Sequence, residues 1–199
     1  MTDAFARFIE SASTAIRDSK RAADVVLRIE PLLRALIQDR DWLDAKYVRP
    51  IERKPYAQYL LYRPDDFSYS VVSFVWNPGQ GSPIHDHCTW GVIGQYEGEE
   101  EETRYKRTDS GSRADFASLE VSKTRACRPG DVSHVYAPDR DIHQIHNRAL
   151  SPAVSIHVYG GDIGSQQRHT YSYPSGPILP FVSAYDLPGL PGVGPDQAK

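Results

Sequence analysis

Seven histidines occur in this 199-residue chain, and the spacing of several of them could support chemistry. The run Pro83-Ile84-His85-Asp86-His87 sets two imidazoles two residues apart. On an extended strand alternate side chains share a face, so His85 and His87 can converge on one point while Asp86 turns away. His143, on a distant segment, offers a third imidazole. Three neutral donors on one face of a metal ion leave its other positions open, and imidazole suits several first-row metals, so residue type alone does not choose the ion. A second row, Ser155, His157 and Tyr159, repeats the two-residue period within AVSIHVYGG. It reads either as an inward polar stripe satisfied by its own hydrogen bonds or as a relay. In the relay, Ser155 orients His157, which orients the Tyr159 hydroxyl toward a metal-bound ligand. His134 and His146 are rival ligands in some registers. His146 lacks strand parity with His143 and ranks as a supporting or surface residue, His134 as a rim residue, and His169 as structural or at a cavity mouth. Cys88 follows His87 directly and by alternation points away from the metal.

These residues need a scaffold of strands. Phe5, Phe8, Ile9, Ala12 and Ile16 recur at helical spacing, and Ala23, Val26, Leu27, Leu32, Leu33, Leu36 and Ile37 form a second apolar stripe interrupted by Pro31. Two or three helices are therefore expected over residues 3 to 45, with Pro31 opening a new helix or kinking one. From Tyr56 onward, short β-branched and aromatic runs alternate with Gly, Pro, Asn and Asp, as in SYSVVSFVW, TWGVIGQYEG and IHQIHN. Such strands predict an antiparallel sandwich or small barrel whose inward side chains line one ligand-sized cavity. The expected organisation is a single domain: N-terminal helices over 1–48, a β-barrel over 49–173 and a Pro/Gly-rich segment over 174–199. That last segment is expected to drape over the barrel, anchored by Phe181 and Tyr185, and to fray near Lys199.

Composition narrows the partners. The chain is 40% hydrophobic and 25% charged with a formal charge of −3, which gives no electrostatic footprint for nucleic acid or an anionic membrane. Two cysteines, Cys88 and Cys127, are too few for a disulfide scaffold and fit a reducing compartment, so a cytoplasmic location is expected. The first residues carry charges where a signal peptide has its apolar core, and no stretch reaches membrane-spanning length. A small-molecule partner is expected; oligomeric state has no signature in the sequence.

Gly79 stands six residues before His85, Gly98 eleven after His87, and Pro129-Gly130-Asp131 precedes His143-x-x-x-Asn147. These positions resemble the two boxes of the cupin superfamily, with one departure: where the usual cupin has a carboxylate ligand, this chain reads Trp90-Gly91-Val92. The implied metal ligands are His85, His87 and His143 without a fourth. Three uncharged ligands leave the cation's charge uncompensated and favour an anionic guest such as a thiolate, whose free pKa is about 8.5.

With the Ser155-His157-Tyr159 row added, most of residues 56 to 170 resemble the thiol dioxygenases of the cysteine dioxygenase group within the cupins. The resemblance implies a mainly β jelly-roll barrel (double-stranded β-helix) with an N-terminal helical segment, Fe(II) as cofactor, and oxidation of a small thiol by O2 to a sulfinate. Animal-type members carry an arginine in a Tyr-x-Arg setting; here the segment is Tyr56-Ala57-Gln58. Their crosslinking cysteine is matched by Gly91 or Val92, so no crosslink to the tyrosine is expected. Gln58, the glycine and Arg168, eleven residues after His157, are similar to the bacterial 3-mercaptopropionate dioxygenase branch. In that reading Gln58 and Arg168 bind the substrate carboxylate, or Arg168 holds Tyr159. The alternatives are cysteine, cysteamine or mercaptosuccinate as the main thiol, another cupin enzyme using Zn, Ni or Mn, or a non-catalytic cupin that binds a metal or ligand.

Overall fold

The computed structural model describes residues 2–138 and 140–188. Helix α1 spans Asp3–Arg17, and the Thr2 side chain accepts a hydrogen bond from the Phe5 N–H at its start. Helix α2 spans Ala22–Gln38 with Pro31 in its interior, so this residue neither opens a new helix nor ends one. Pro31 is on the exposed side, while Val26, Ile29 and Leu33 are buried on either side of it and keep both halves docked. A single 3₁₀ turn, Ala45–Val48, leads to the strands.

Eleven strands follow among the described residues: β1 (Ala57–Tyr62), β2 (Tyr69–Trp76), β3 (Ile84–His85), β4 (Gly91–Glu97), β5 (Glu100–Arg107), β6 (Phe116–Cys127), β7 (Val132–Val135), β8 (His143–His146), β9 (Ala153–Gly160), β10 (Arg168–Tyr171) and β11 (Ser175–Phe181). They form a five-stranded sheet in the order β1-β2-β9-β4-β7 and a second sheet, β10-β11-β6-β5-β8-β3, whose hydrogen bonding closes on itself. Every pairing is antiparallel. The fold is thus the mainly β, cupin-type barrel with an N-terminal helical segment that the resemblance implies.

Register explains the two faces of the first sheet. On β9, Val154, Ile156 and Val158 alternate with Ser155, His157 and Tyr159. The apolar set joins Val71, Val75 and Val92 in one core with Phe8, Ile29, Leu33 and Ile37 of the helices. At Gly94 a Cβ would stand only 3.0 Å from Ile37 Cδ1 and 3.2 Å from Leu33, so its missing side chain lets α2 lie close on β4. The polar set faces the barrel interior. There Ser155 pairs with Phe74 of β2 and Gln95 of β4, and Tyr159 pairs with Gly91.

The segment from Pro174 differs from expectation. Ser175–Phe181 forms β11, paired with β10 on one side and β6 on the other, so the barrel extends to Phe181 rather than ending at 173. Its prolines obscured the strand: Pro177 and Pro180 lack the N–H that a strand interior usually requires. Phe181 and Tyr185 do anchor this region: Phe181 lies over Arg168, and the Tyr185 hydroxyl donates to Asp162. The expected fraying near Lys199 falls outside the described residues.

Candidate metal centre

His85 on β3 sits directly opposite His143 on β8 in the ladder, so two of the three imidazoles are cross-strand neighbours. His87 lies just past the end of β3, at the start of a turn in which Cys88 takes a left-handed φ of 54°. The three ring centroids form a triangle with 4.8 Å sides, and one nitrogen from each ring lies within 4.8 Å of the others. All three residues are buried. Asp86 turns the other way, as alternation predicts, and receives His169 and Tyr171.

Each imidazole uses its Nδ1 elsewhere. His85 Nδ1 is 3.0 Å from the Pro83 carbonyl, His87 Nδ1 is 3.1 Å from Asp141 Oδ1, and His143 Nδ1 is 3.0 Å from Glu102 Oε1. Such outer contacts fix ring orientation and leave Nε2 as the free donor. His87 Nε2 is buried with no hydrogen-bond partner among the described residues. That orphaned atom, and three rings held with the same nitrogen free, fit a transition-metal ion. Burial, followed by the neighbouring imidazoles and Arg168, holds His85 and His87 well below the ordinary histidine range. They are therefore neutral, as ligands must be.

Asp141 and Glu102 were not evident in the sequence. Burial raises the Asp141 carboxyl, although the backbone N–H groups of His87 and Cys88 donate to it and pull in the other direction. Burial would also raise Glu102. The hydrogen bond with His143 and the guanidinium groups of Arg104 and Arg125 outweigh that and hold it well below the usual carboxylate range. Glu102 shares a strand with no histidine, so only the β5–β8 pairing reveals it.

Ser155, His157 and Tyr159 approach the three imidazoles from the opposite sheet. Ser155 Oγ is 2.8 Å from His157 Nε2, and Tyr159 Oη is 2.7 Å from His157 Nδ1. The Tyr159 ring stacks on His87 with centroids 5.4 Å apart. Burial raises the Tyr159 phenol and keeps His157 far below its ordinary value, so both are neutral. Gly91 makes room: a Cβ there would stand 2.7 Å from the Tyr159 ring. Arg168 and Tyr159 line the same narrow cavity as His85 and His143, with Tyr56 and Phe74 on its wall. The Arg168 guanidinium donates to Ser183 Oγ at 2.5 Å and stacks on Phe181, and its Nε has no partner among the described residues. Gln58 is buried on β1 opposite Phe74, with neither amide atom partnered among the described residues.

The remaining histidines stand apart from this cluster. His134 stacks on Tyr136 and contacts Arg140, His146 on β8 is the ladder partner of Glu101 on β5, and His169 Nδ1 contacts Asp86.

A family model described as cysteine dioxygenase type I matches residues 46–172, and the chain belongs to that family, whose dioxygenases depend on non-haem iron. Solved structures similar to it include a protein from Thermus thermophilus, at 18% identity over 60% of this chain and 95% of that one, with a TM-score of 0.44. A Klebsiella pneumoniae protein with a double-stranded β-helix domain is 17% identical over 61% of this chain and 86% of that one, with a TM-score of 0.45. A cupin-2 domain from Rhodospirillum rubrum is 12% identical over 63% and 74% of the two chains, with a TM-score of 0.45. No helix among the described residues is long and apolar enough to cross a membrane.

Proposed function

We propose that the chain is an Fe(II) thiol dioxygenase that converts a small carboxylated thiol, 3-mercaptopropionate as the best candidate, and O2 into the sulfinate. The overall change is RSH + O2 → RSO2⁻ + H⁺, with both oxygen atoms on sulfur. His85, His87 and His143 would hold the ion, which when bound supplies a Lewis-acidic redox centre where thiolate and O2 meet.

The observation that carries the substrate class is Arg168. Its guanidinium is buried in the cavity wall, and among the described residues it hydrogen-bonds only to a neutral hydroxyl. A buried cation without a carboxylate is costly by several kcal/mol, and a substrate carboxylate would remove that cost. Gln58, buried opposite Phe74 with its amide unpartnered among the described residues, would add a neutral donor. Tyr159 acts as a neutral phenol: His157, held by Ser155, fixes the position of its oxygen, so its O–H can donate to the reacting sulfur or oxygen without reorganising. Phe74, Tyr56 and Phe181 narrow the cavity and keep water out.

The test is oxygen consumption by the iron-loaded protein with 3-mercaptopropionate, cysteine, cysteamine and mercaptosuccinate, with the sulfinate identified. The expected order of kcat/KM places 3-mercaptopropionate first and the carboxylate-free cysteamine last, and Arg168→Ala should flatten that order. Equal turnover of cysteamine would remove Arg168 from substrate recognition, and no uptake with any thiol would overturn the activity.

A further inference from the structure

On the outer side of β3, away from the buried imidazoles, a second set of donors converges. Cys88 Sγ lies 3.5 Å from Asp86 Oδ1 and 3.7 Å from His169 Nδ1, and His169 Nδ1 lies 2.9 Å from Asp86 Oδ2. We propose that Asp86, Cys88 and His169 form a surface site for a thiolate-preferring divalent cation of the Zn²⁺ type. This inference stands independently of the dioxygenase reading.

The triangle has the right size. Zn²⁺ binds sulfur at about 2.3 Å, and nitrogen and oxygen at about 2.0 to 2.2 Å, so a tetrahedral site places sulfur about 3.5 Å from each of the other donors. The two sulfur edges, 3.5 and 3.7 Å, agree with that spacing. The nitrogen–oxygen edge is shorter because a proton bridges those atoms, and a cation replacing it would widen the gap by a few tenths of an ångström.

The donors are also fixed by their surroundings. Asp86 accepts the His169 backbone N–H at 2.8 Å and the Tyr171 hydroxyl at 2.8 Å, which set the carboxylate plane. Cys88 holds a left-handed φ of 54°, uncommon for a residue with a side chain, and this conformation places its thiol beside Asp86 and His169. Gln166 Nε2 secures the same turn by donating to the His87 and Cys88 carbonyls.

A nucleophilic Cys-His-Asp triad does not fit, because such a triad uses both imidazole nitrogens, whereas here sulfur and carboxylate face the same Nδ1. Metal binding instead needs one shared focus. The cation would take the place of the Sγ proton. Cys88 and half-exposed His169 leave a fourth position toward solvent. A bound cation would clamp the turn after β3 to β10, joining the segment that carries His85 and His87 to the strand that carries Arg168.

The test is Zn²⁺ binding to the iron-loaded protein, read as metal retained after desalting, proton release and protection of Cys88 from iodoacetamide. Cys127 is buried and serves as the internal control. One Zn²⁺ per chain is expected, with iron retained, protons released and Cys88 protected. Cys88→Ser and His169→Ala should each lower the affinity at least tenfold, and Mg²⁺ should not compete. Equal alkylation of Cys88 with and without Zn²⁺ would overturn the site. So would unchanged affinity in Cys88→Ser, or Zn²⁺ uptake matched by loss of iron.

Discussion

Tyr159 is the residue on which the proposed chemistry is most sharply concentrated, since its ring stacks on His87 and its hydroxyl meets His157. Tyr159→Phe removes one oxygen and leaves the ring stack in place. The expected outcome is unchanged iron content with turnover reduced on the order of a hundredfold, the usual effect of losing one preorganised donor. Iron analysis beside oxygen-uptake rates separates the two, and unchanged turnover would reduce the row to a structural stripe. At this scale the sequence was informative wherever chemistry follows a two-residue period. His85 and His87 converge, and Ser155, His157 and Tyr159 share a face, because strand geometry is local. The acceptors of the ring N–H groups were not evident. Asp141 reaches His87 from 54 positions away, and Glu102 reaches His143 from 41, so a pattern within one strand cannot reveal them.

Strand pairing decides how much room those residues have. Gly91 and Tyr159 are directly opposite in the β4–β9 ladder, and a Cβ at Gly91 would stand 2.7 Å from two ring carbons and 3.0 Å from Val135 Cγ2. Gly91→Ala should therefore push the phenol off His87. A misplacement of about 1 Å at a reacting group can cost up to about a hundredfold in rate, and overpacking costs about 1–3 kcal/mol of stability. Denaturant unfolding and oxygen uptake would check both, and an alanine variant with wild-type rate and stability would mean that β9 yields easily. The family resemblance marked Gly91 or Val92 as the position without a crosslinking cysteine, but the steric role of Gly91 depends on register. Elements with a clean period were readable in advance, including both helices and the strands from Ala57 to Gly160. The strand β11 was not: Pro177 and Pro180 remove backbone donors, yet pairing with β10 and β6 keeps it in the sheet. Of the two alternatives for Pro31, opening a new helix is set aside by the continuous α2.

Taken as a whole, the first sheet separates an apolar face, covered by the helices, from an interior lined with polar and ionisable groups. Burying those groups links folding to pH. Glu100, at the start of β5, is 1% exposed and accepts a hydrogen bond from Gln95 Nε2 at 3.1 Å. Burial raises its carboxyl from 4.5 to about 7, against the opposing hydrogen bonds of Ser155 and Gln95, and Glu102 adds to the rise. Between those two values the folded chain holds a proton that the unfolded chain has lost. The stabilisation linked to Glu100 is therefore fully present below about pH 4.5 and disappears as pH rises through about 7. The rise amounts to on the order of 3 kcal/mol in the folding equilibrium. Glu100→Gln keeps the size and a hydrogen-bonding amide but cannot ionise. Its unfolding free energy should match that of the parent near pH 4.5 and exceed it by a growing margin, toward about 3 kcal/mol, above pH 7. Urea unfolding of both proteins across that range reads the difference directly. Two curves that stay parallel would mean that water or a neighbouring group relieves Glu100 of its burial cost.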